Sequence, residues 1–252
     1  MLKWYRETAS KHGVWKATRF ALRVKWSSTR SAFAGKYLPD RFECPCCGWK
    51  GARFRDYLQV GYTIVNAECP VCDSQSRHRA LYLWLKNSSE LAQKKGTALI
   101  FAPEKSIAPL WNNVRGLKVI CTDILTRPSV HFVADLQKMP LADQAIDIVW
   151  CHHVLEHIPN DGLAIGELYR IMRAGESELI VSVPMGAGPT TDEYGFCDET
   201  ISGHWRLYGD DFEQRLSRAG FQVERLNLGI SMADRRRYGI LDEPVYRCRK
   251  GA

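Results

Sequence analysis

VADLQKMPLADQAIDIVWCHHVLEHIPNDGLAIGELYRIMRAGESELIVSVP, residues 133–184, decides the fold of this 252-residue chain. Asp135-Leu136 closes one short apolar run, and a second run ends in the cluster His152-His153-Val154-Leu155-Glu156-His157. An amphipathic segment follows and leads into a third run, Glu178 to Pro184. Strand, loop, strand, helix, strand is the grammar of a parallel sheet covered by helices. Ligands of such sheets bind beyond the carboxyl ends of the strands, where Asp135 and residues 151–157 fall.

Working outward, strands are expected at about 97–102, 118–122, 131–134, 146–151, 178–183, 221–227 and 244–248, with helices near 104–113, 161–173 and 209–219. The last helix ends in Arg218-Ala219-Gly220-Phe221, a glycine stop running into a strand. From the Asp-Leu pair and the His-Val-Leu-Glu-His-Ile segment, residues 97 to 248 resemble the class I S-adenosylmethionine-dependent methyltransferases. The fold this implies is α/β: a Rossmann-like seven-stranded methyltransferase sheet, here with an N-terminal helical arm and a small zinc ribbon.

The resemblance implies the cofactor, S-adenosyl-L-methionine, and a set of residues for it. Asp123 ends the run KVICTD and takes the place of the acidic residue that reads the ribose hydroxyls, with Ile124 beside it. An Asp there also suits a helix cap. Asp135 and Leu136 take the adenine side, and His152 lines the cofactor near its sulfonium. The first loop departs from the family pattern. Phe101-Ala102-Pro103-Glu104 stands where a glycine-rich turn is usual, and no Gly occurs between Gly96 and Gly116. Ala102 is then the smallest residue available, and Glu104 is placed to face the methionyl ammonium. The opposing expectation is a loop that has lost the cofactor.

Methyl transfer to oxygen benefits from a base, and histidine suits that near neutral pH. His153 and His204 are the catalytic candidates, with Glu156 and His157 expected to hold loops together. His204 lies in Gly203-His204-Trp205-Arg206, within a long Asp/Gly/Thr-rich stretch after the fifth strand that reads as a loop over the acceptor. Arg206 is either a binder of an anionic acceptor group or a plain surface residue. HHVLEH lacks the zinc-protease spacing, so no catalytic metal is expected.

Cys44-Pro45-Cys46-Cys47-Gly48 and Cys69-Pro70-Val71-Cys72 form two knuckles. Cys44, Cys47, Cys69 and Cys72 together suit a closed, structural tetrathiolate zinc site, since only Cys47 pairs with Cys44 across two residues. Phe54, Tyr57, Val60, Tyr62 and Ile64 between them are spaced like a β-ribbon.

Charge is uneven. Residues 1–41 hold ten Lys/Arg against Glu7 and Asp40, or +8 of a net +7, which leaves −1 for the remainder. Residues 1–30 read as helical, with Val14, Ala17, Phe20, Ala21 and Val24 on one face and Lys16, Arg19 and Arg23 as a basic stripe bounded by Trp15 and Trp26. Such an arm either packs on its own chain or touches an anionic membrane surface or RNA. No run approaches the roughly 18 apolar residues of a membrane span, and Arg6, Lys11 and Lys16 interrupt any signal-peptide core. The expected setting is cytoplasmic, peripheral at the inner membrane surface if the arm binds lipid.

The organisation that follows is a basic helical arm at 1–41, a zinc ribbon at 42–76, and a linking helix with the methyltransferase-like domain at 77–252. The expected activity is methyl transfer to a small molecule or glycan-type intermediate. The competing readings are an RNA base methyltransferase, which a near-neutral catalytic domain disfavours, and a non-catalytic zinc-binding interaction protein with a degenerate fold.

Overall fold

The computed structural model describes residues 2–251. Two compact units share the chain. The first runs to Leu83 and adds Asp198–Gly203 and Ile230–Leu241. The second comprises Trp84–Cys197, His204–Gly229 and the segment from Asp242 onward.

The first unit begins with two helices, α1 (Leu2–His12) and α2 (Val14–Tyr37). The single helical region expected over 1–30 is broken at Gly13, whose φ of 86° is open to glycine alone at little cost. No proline intervenes before Pro39, so α2 continues to Tyr37. It buries Ala17, Phe20, Ser27 and Ala34, spaced by three and seven residues. Val14, expected on that inner face, is instead 67% exposed, because it opens the helix beside the Gly13 break.

The ribbon follows as β1 (Phe42–Glu43) with β2 (Lys50–Gly51), then β3 (Arg55–Leu58) with β4 (Thr63–Glu68), both pairs antiparallel. Helix α2 is tied to it by polar bonds. The Ser27 hydroxyl donates to Asp56 Oδ2 at 2.8 Å, and Arg23 donates to the Tyr62 carbonyl at 3.3 Å and to Thr63 Oγ1. One member of the expected basic stripe is therefore spent on packing. Helix α3 (Ser76–Asn87) leaves the ribbon carrying Arg79, whose side chain is fully buried.

The second unit contains α4 (Ser89–Gln93), β5 (Gly96–Phe101), α5 (Ala108–Asn112), β6 (Leu117–Asp123), β7 (Phe132–Val133), β8 (Ile148–His152), α6 (Asp161–Ile171) and β9 (Glu178–Ser182). Strands β10 (Asp192–Asp198) and β11 (His204–Leu207) form a two-stranded sheet. After them come α7 (Phe212–Arg218), β12 (Phe221–Arg225), α8 (Met232–Tyr238, in the first unit) and β13 (Tyr246–Lys250).

Seven strands make one mixed sheet in the order β12-β13-β9-β8-β5-β6-β7. Strands β7, β6, β5, β8 and β9 run parallel, and β13 is antiparallel to both β9 and β12. This is the Rossmann-like arrangement of the methyltransferase fold. Every residue of β8 and β9 is buried, as strands covered on both faces require. Val149 and Cys151 face a core built with Leu155, Ile165, Leu168 and Leu179. On the other face, Trp150 packs near Trp84 and Trp111 with ring centroids 6.3 and 5.0 Å away. The strand order reverses between β5 and β8, and ligands of such sheets bind beyond the carboxyl ends at that reversal.

The long stretch after β9 is not a loop. It folds back as β10 and β11, a pairing hidden by its charged and small residues, which show no apolar alternation.

Candidate active site and metal centre

Beyond β5, the Ala102 amide donates to the Thr122 carbonyl of β6 at 2.9 Å, and Ala102 has φ of 45°. That is the left-handed region, costly for any residue with a Cβ. The chain thus keeps the backbone turn a glycine would make and pays only for one methyl group. His153, just past β8, has φ of 52° and donates its amide to the Ser182 carbonyl at 2.9 Å. Two non-glycine residues in this conformation therefore stand at the ends of β5 and β8, the strands that flank the reversal. Strained backbone of this kind clusters at ligand sites.

Asp123, the last residue of β6, is buried. Its Oδ1 accepts from the Leu125 amide at 3.0 Å, whereas Oδ2 is buried without a hydrogen-bond partner among the described residues and has Arg127 Nε 3.3 Å away. A buried carboxylate oxygen that holds an ion pair but accepts no hydrogen bond keeps lone-pair capacity for a ligand hydroxyl. Ile124 beside it is exposed and Phe101 is buried in the core. Pro103 and Glu104 follow Ala102, and the Glu104 carbonyl starts the turn into α5 by accepting from Ile107 and Ala108.

Asp135 stands after β7, where its Oδ1 accepts from the Gln137 amide at 2.9 Å, and Leu136 is buried in the core. His152, the last residue of β8, is buried. Its Nδ1 shares a hydrogen bond with Ser182 Oγ at 2.8 Å, and its ring lies 4.1 Å from that of Trp150. Burial pushes the thiol of neighbouring Cys151 well above its ordinary range, which keeps it a neutral core group.

The two catalytic candidates meet around one buried carboxylate. His153 Nε2 lies 2.6 Å from Glu243 Oε1, and its Nδ1 lies 3.6 Å from Oε1 of the buried Glu156. His157 Nε2 approaches the same Glu156 oxygen at 3.8 Å, and its ring packs edge-on against His204 at 4.8 Å. Glu243 belongs to no motif and sits in a loop 90 positions from His153, so sequence reasoning missed it. Arg206 corrects an expectation. It is buried, and it donates to the carbonyls of Leu155, Ile158 and Pro159 and to Glu193 at 2.6–3.1 Å. A guanidinium so engaged holds the 155–159 turn in place and has no fork left for an acceptor.

In the first unit, Cys44, Cys47, Cys69 and Cys72 converge so that their sulfurs all lie within 4.8 Å of one another. The pairs Cys44–Cys72 and Cys47–Cys69 are 3.6 Å apart, close to the separation of about 3.8 Å that four thiolates on one tetrahedral zinc require. Both knuckles close with a left-handed residue directly after the second ligand, Gly48 at 76° and Asp73 at 58°. Cys46 stands outside the four-residue group. Arg79 caps the cluster from α3, donating to the Ser74 and Ala67 carbonyls at 2.6 and 3.0 Å and to Tyr238 and Gly239 at 2.6 and 2.9 Å.

Residues 110–177 match the family model described as a methyltransferase domain, a span from α5 to the start of β9. That match and the sheet order together support the fold of an S-adenosylmethionine-dependent methyltransferase. Among solved structures it is similar to the YcgJ protein of Bacillus subtilis, at 11% identity and a TM-score of 0.49, over 69% of this chain and 100% of that one. It is also similar to the [4+2]-cyclase SpnF, at 15% identity and a TM-score of 0.48, over 73% of this chain and 84% of that one. Haemonchus contortus phosphoethanolamine N-methyltransferase 2, solved with S-adenosyl-L-methionine, matches at 17% identity and a TM-score of 0.42, over 54% of this chain and 35% of that one. No curated protein matches the chain.

Two predictions follow from these geometries. Freshly purified, reduced protein should hold about one zinc per chain by elemental analysis. Cys46→Ser should leave that content intact and Cys47→Ser should lower it; a metal-free wild type contradicts the assignment. At the crevice, Asp123→Ala should weaken S-adenosylmethionine binding about tenfold or more, since a lost buried hydrogen bond costs about 1–3 kcal/mol. Ala102→Gly should bind as well as wild type, whereas Ala102→Val should not, because a branched side chain cannot hold φ of 45°. Zinc content should be the same in all three variants.

Proposed function

We propose that the crevice beyond β5, β6 and β8 holds S-adenosyl-L-methionine and that the chain methylates a small molecule or glycan-type intermediate. The observation that carries this reading is the pairing of the Ala102 turn with the buried Oδ2 of Asp123, which accepts no hydrogen bond, at adjacent strand ends. Phe101, Ala102, Pro103 and Glu104 would face the methionine end, Asp123 and Ile124 the ribose, and Asp135 and Leu136 the adenine. His152 supports the turn from behind through Ser182. The cofactor, when bound, supplies an electrophilic methyl group, and the protein's share is orientation and exclusion of water.

His153 is the proposed proton acceptor. In the tautomer that donates from Nε2 to Glu243 Oε1, Nδ1 is left as the basic nitrogen. Glu156, 3.6 Å from Nδ1, would stabilise the imidazolium formed when a proton arrives there. His204, whose ring nitrogen lies within 4.8 Å of both Glu156 and His157, suits the acceptor side of the same cluster.

Zinc in the four-cysteine site would be structural, since all four positions are taken by protein sulfur. Free thiols in such number suit a reducing, cytoplasmic setting. Among the described residues, no helix is long and apolar enough to cross a membrane. A small acceptor is favoured over RNA by the charge of −1 carried by all residues after 41, where a polyanion would call for a basic footprint.

The test is transfer from methyl-labelled cofactor in the presence of fractionated cell extract. Label should enter the low-mass or glycan fraction and be lost in His153→Asn with cofactor affinity retained. Label in RNA alone would replace the proposed acceptor class, and no label despite tight cofactor binding would favour the non-catalytic reading.

A further inference from the structure

Helix α2 has a second apolar face, opposite the one it buries. Trp15, Leu22, Trp26, Phe33 and Tyr37 are between 60% and 77% exposed. At 3.6 residues per turn these five fall within about 60° of one another, along a line about 33 Å long. The buried residues Ala17, Phe20, Ser27 and Ala34 lie on the far side of the helix. Five large apolar side chains in register along one exposed helix face exceed what scattered surface hydrophobics explain.

The polar surroundings of the stripe say what covers it. Arg19 runs along one edge and Lys25 and Lys36 along the other, all exposed, while Arg30 on the same edge as Arg19 is held by Asp56 at 3.5 Å. Lys36 Nζ lies 5.1 Å from the Tyr37 ring, a cation over the last aromatic of the stripe. A protein partner with an apolar groove would not need cations on both edges, and RNA would not need an unbroken apolar line between them. Aromatic residues at the level of lipid headgroups, with Lys and Arg reaching outward on both sides, are the pattern of a helix lying in a membrane interface. The charge of +8 confined to residues 1–41 complements an anionic leaflet.

A cavity of about 980 Å³ adjoins this face and is lined by Tyr5, Phe20, Ala21, Leu22, Tyr57 and Leu58 among others. Leu22 belongs to both the stripe and the cavity, whose lining also includes Lys25, Arg55, Asp56 and Glu68.

We infer that α2 is an interfacial helix that docks the protein on an anionic lipid surface through the Trp15–Tyr37 stripe, lying in the plane of the membrane without crossing it. Neither the cofactor nor the acceptor enters this inference. The experiment is co-sedimentation of the full chain with phosphatidylcholine vesicles and with the same vesicles carrying phosphatidylglycerol, repeated for Trp15→Glu/Trp26→Glu. Zinc content and far-UV circular dichroism serve as fold controls, which exposed positions should leave unchanged.

Wild type should prefer the anionic vesicles by about tenfold or more, the preference should shrink as salt rises, and the double variant should lose it. Equal sedimentation of wild type and variant, or no binding to anionic vesicles at moderate salt, overturns the inference. Loss of binding to an RNA oligonucleotide in the variant, without vesicle binding by wild type, assigns the face to RNA instead. A wild-type dimer that the variant abolishes, again without vesicle binding, assigns it to a second copy of the chain.

Discussion

Burial of β8 and β9 on both faces is the constraint on which the catalytic unit depends. Strands enclosed in this way are apolar through their middles, Val149 to Cys151 and Leu179 to Val181, and their backbone groups are consumed by the ladder. Polar chemistry can then appear only where the strands stop. The carboxyl ends are where Asp123, His153 and the Ala102 turn stand, and the left-handed backbone at Ala102 and His153 is the cost of turning the chain out of the sheet abruptly enough to leave a crevice. Glu156, wholly buried one turn further on, then collects His153 and His157 around itself, while the buried Arg206 fixes the carbonyls of the same turn.

The ribbon obeys a different rule. Its own apolar cluster amounts to Cys44, Phe54 and Cys69 with a few partly buried neighbours, too little for a module of that size to fold on hydrophobic burial alone. Four cysteine sulfurs converging within 4.8 Å, placed to share a metal, and a guanidinium bonded to four carbonyls take the place of the missing core. Arg79 also lies over the Phe54 ring at 4.0 Å, so one side chain joins the knuckle, β4 and the end of α8 through both charge and packing.

Much of this is written in the sequence because periodicity and ligand spacing are local. The seven strands, the helix stop at Gly220 and the grouping of Cys47, and not Cys46, with the other three cysteines could be read from residues within a few positions of each other. What escaped depends on partners far along the chain or on backbone torsion. The β10–β11 pair has no apolar alternation to betray it. Arg206 looks like a surface cation until the turn at 155–159 is folded beneath it. The first loop lacks glycine, yet Ala102 adopts the torsion that glycine would have signalled. Glu243 and His153 meet only in the folded unit.

The account rests on the crevice still accepting its cofactor. Titration calorimetry of the reduced, zinc-containing wild type with S-adenosylhomocysteine, the demethylated product, tests this most directly. Saturable heat at a single site per chain is the result the geometry of Ala102 and Asp123 predicts. Absence of any binding at millimolar ligand would contradict it and leave a methyltransferase sheet that serves only as a scaffold.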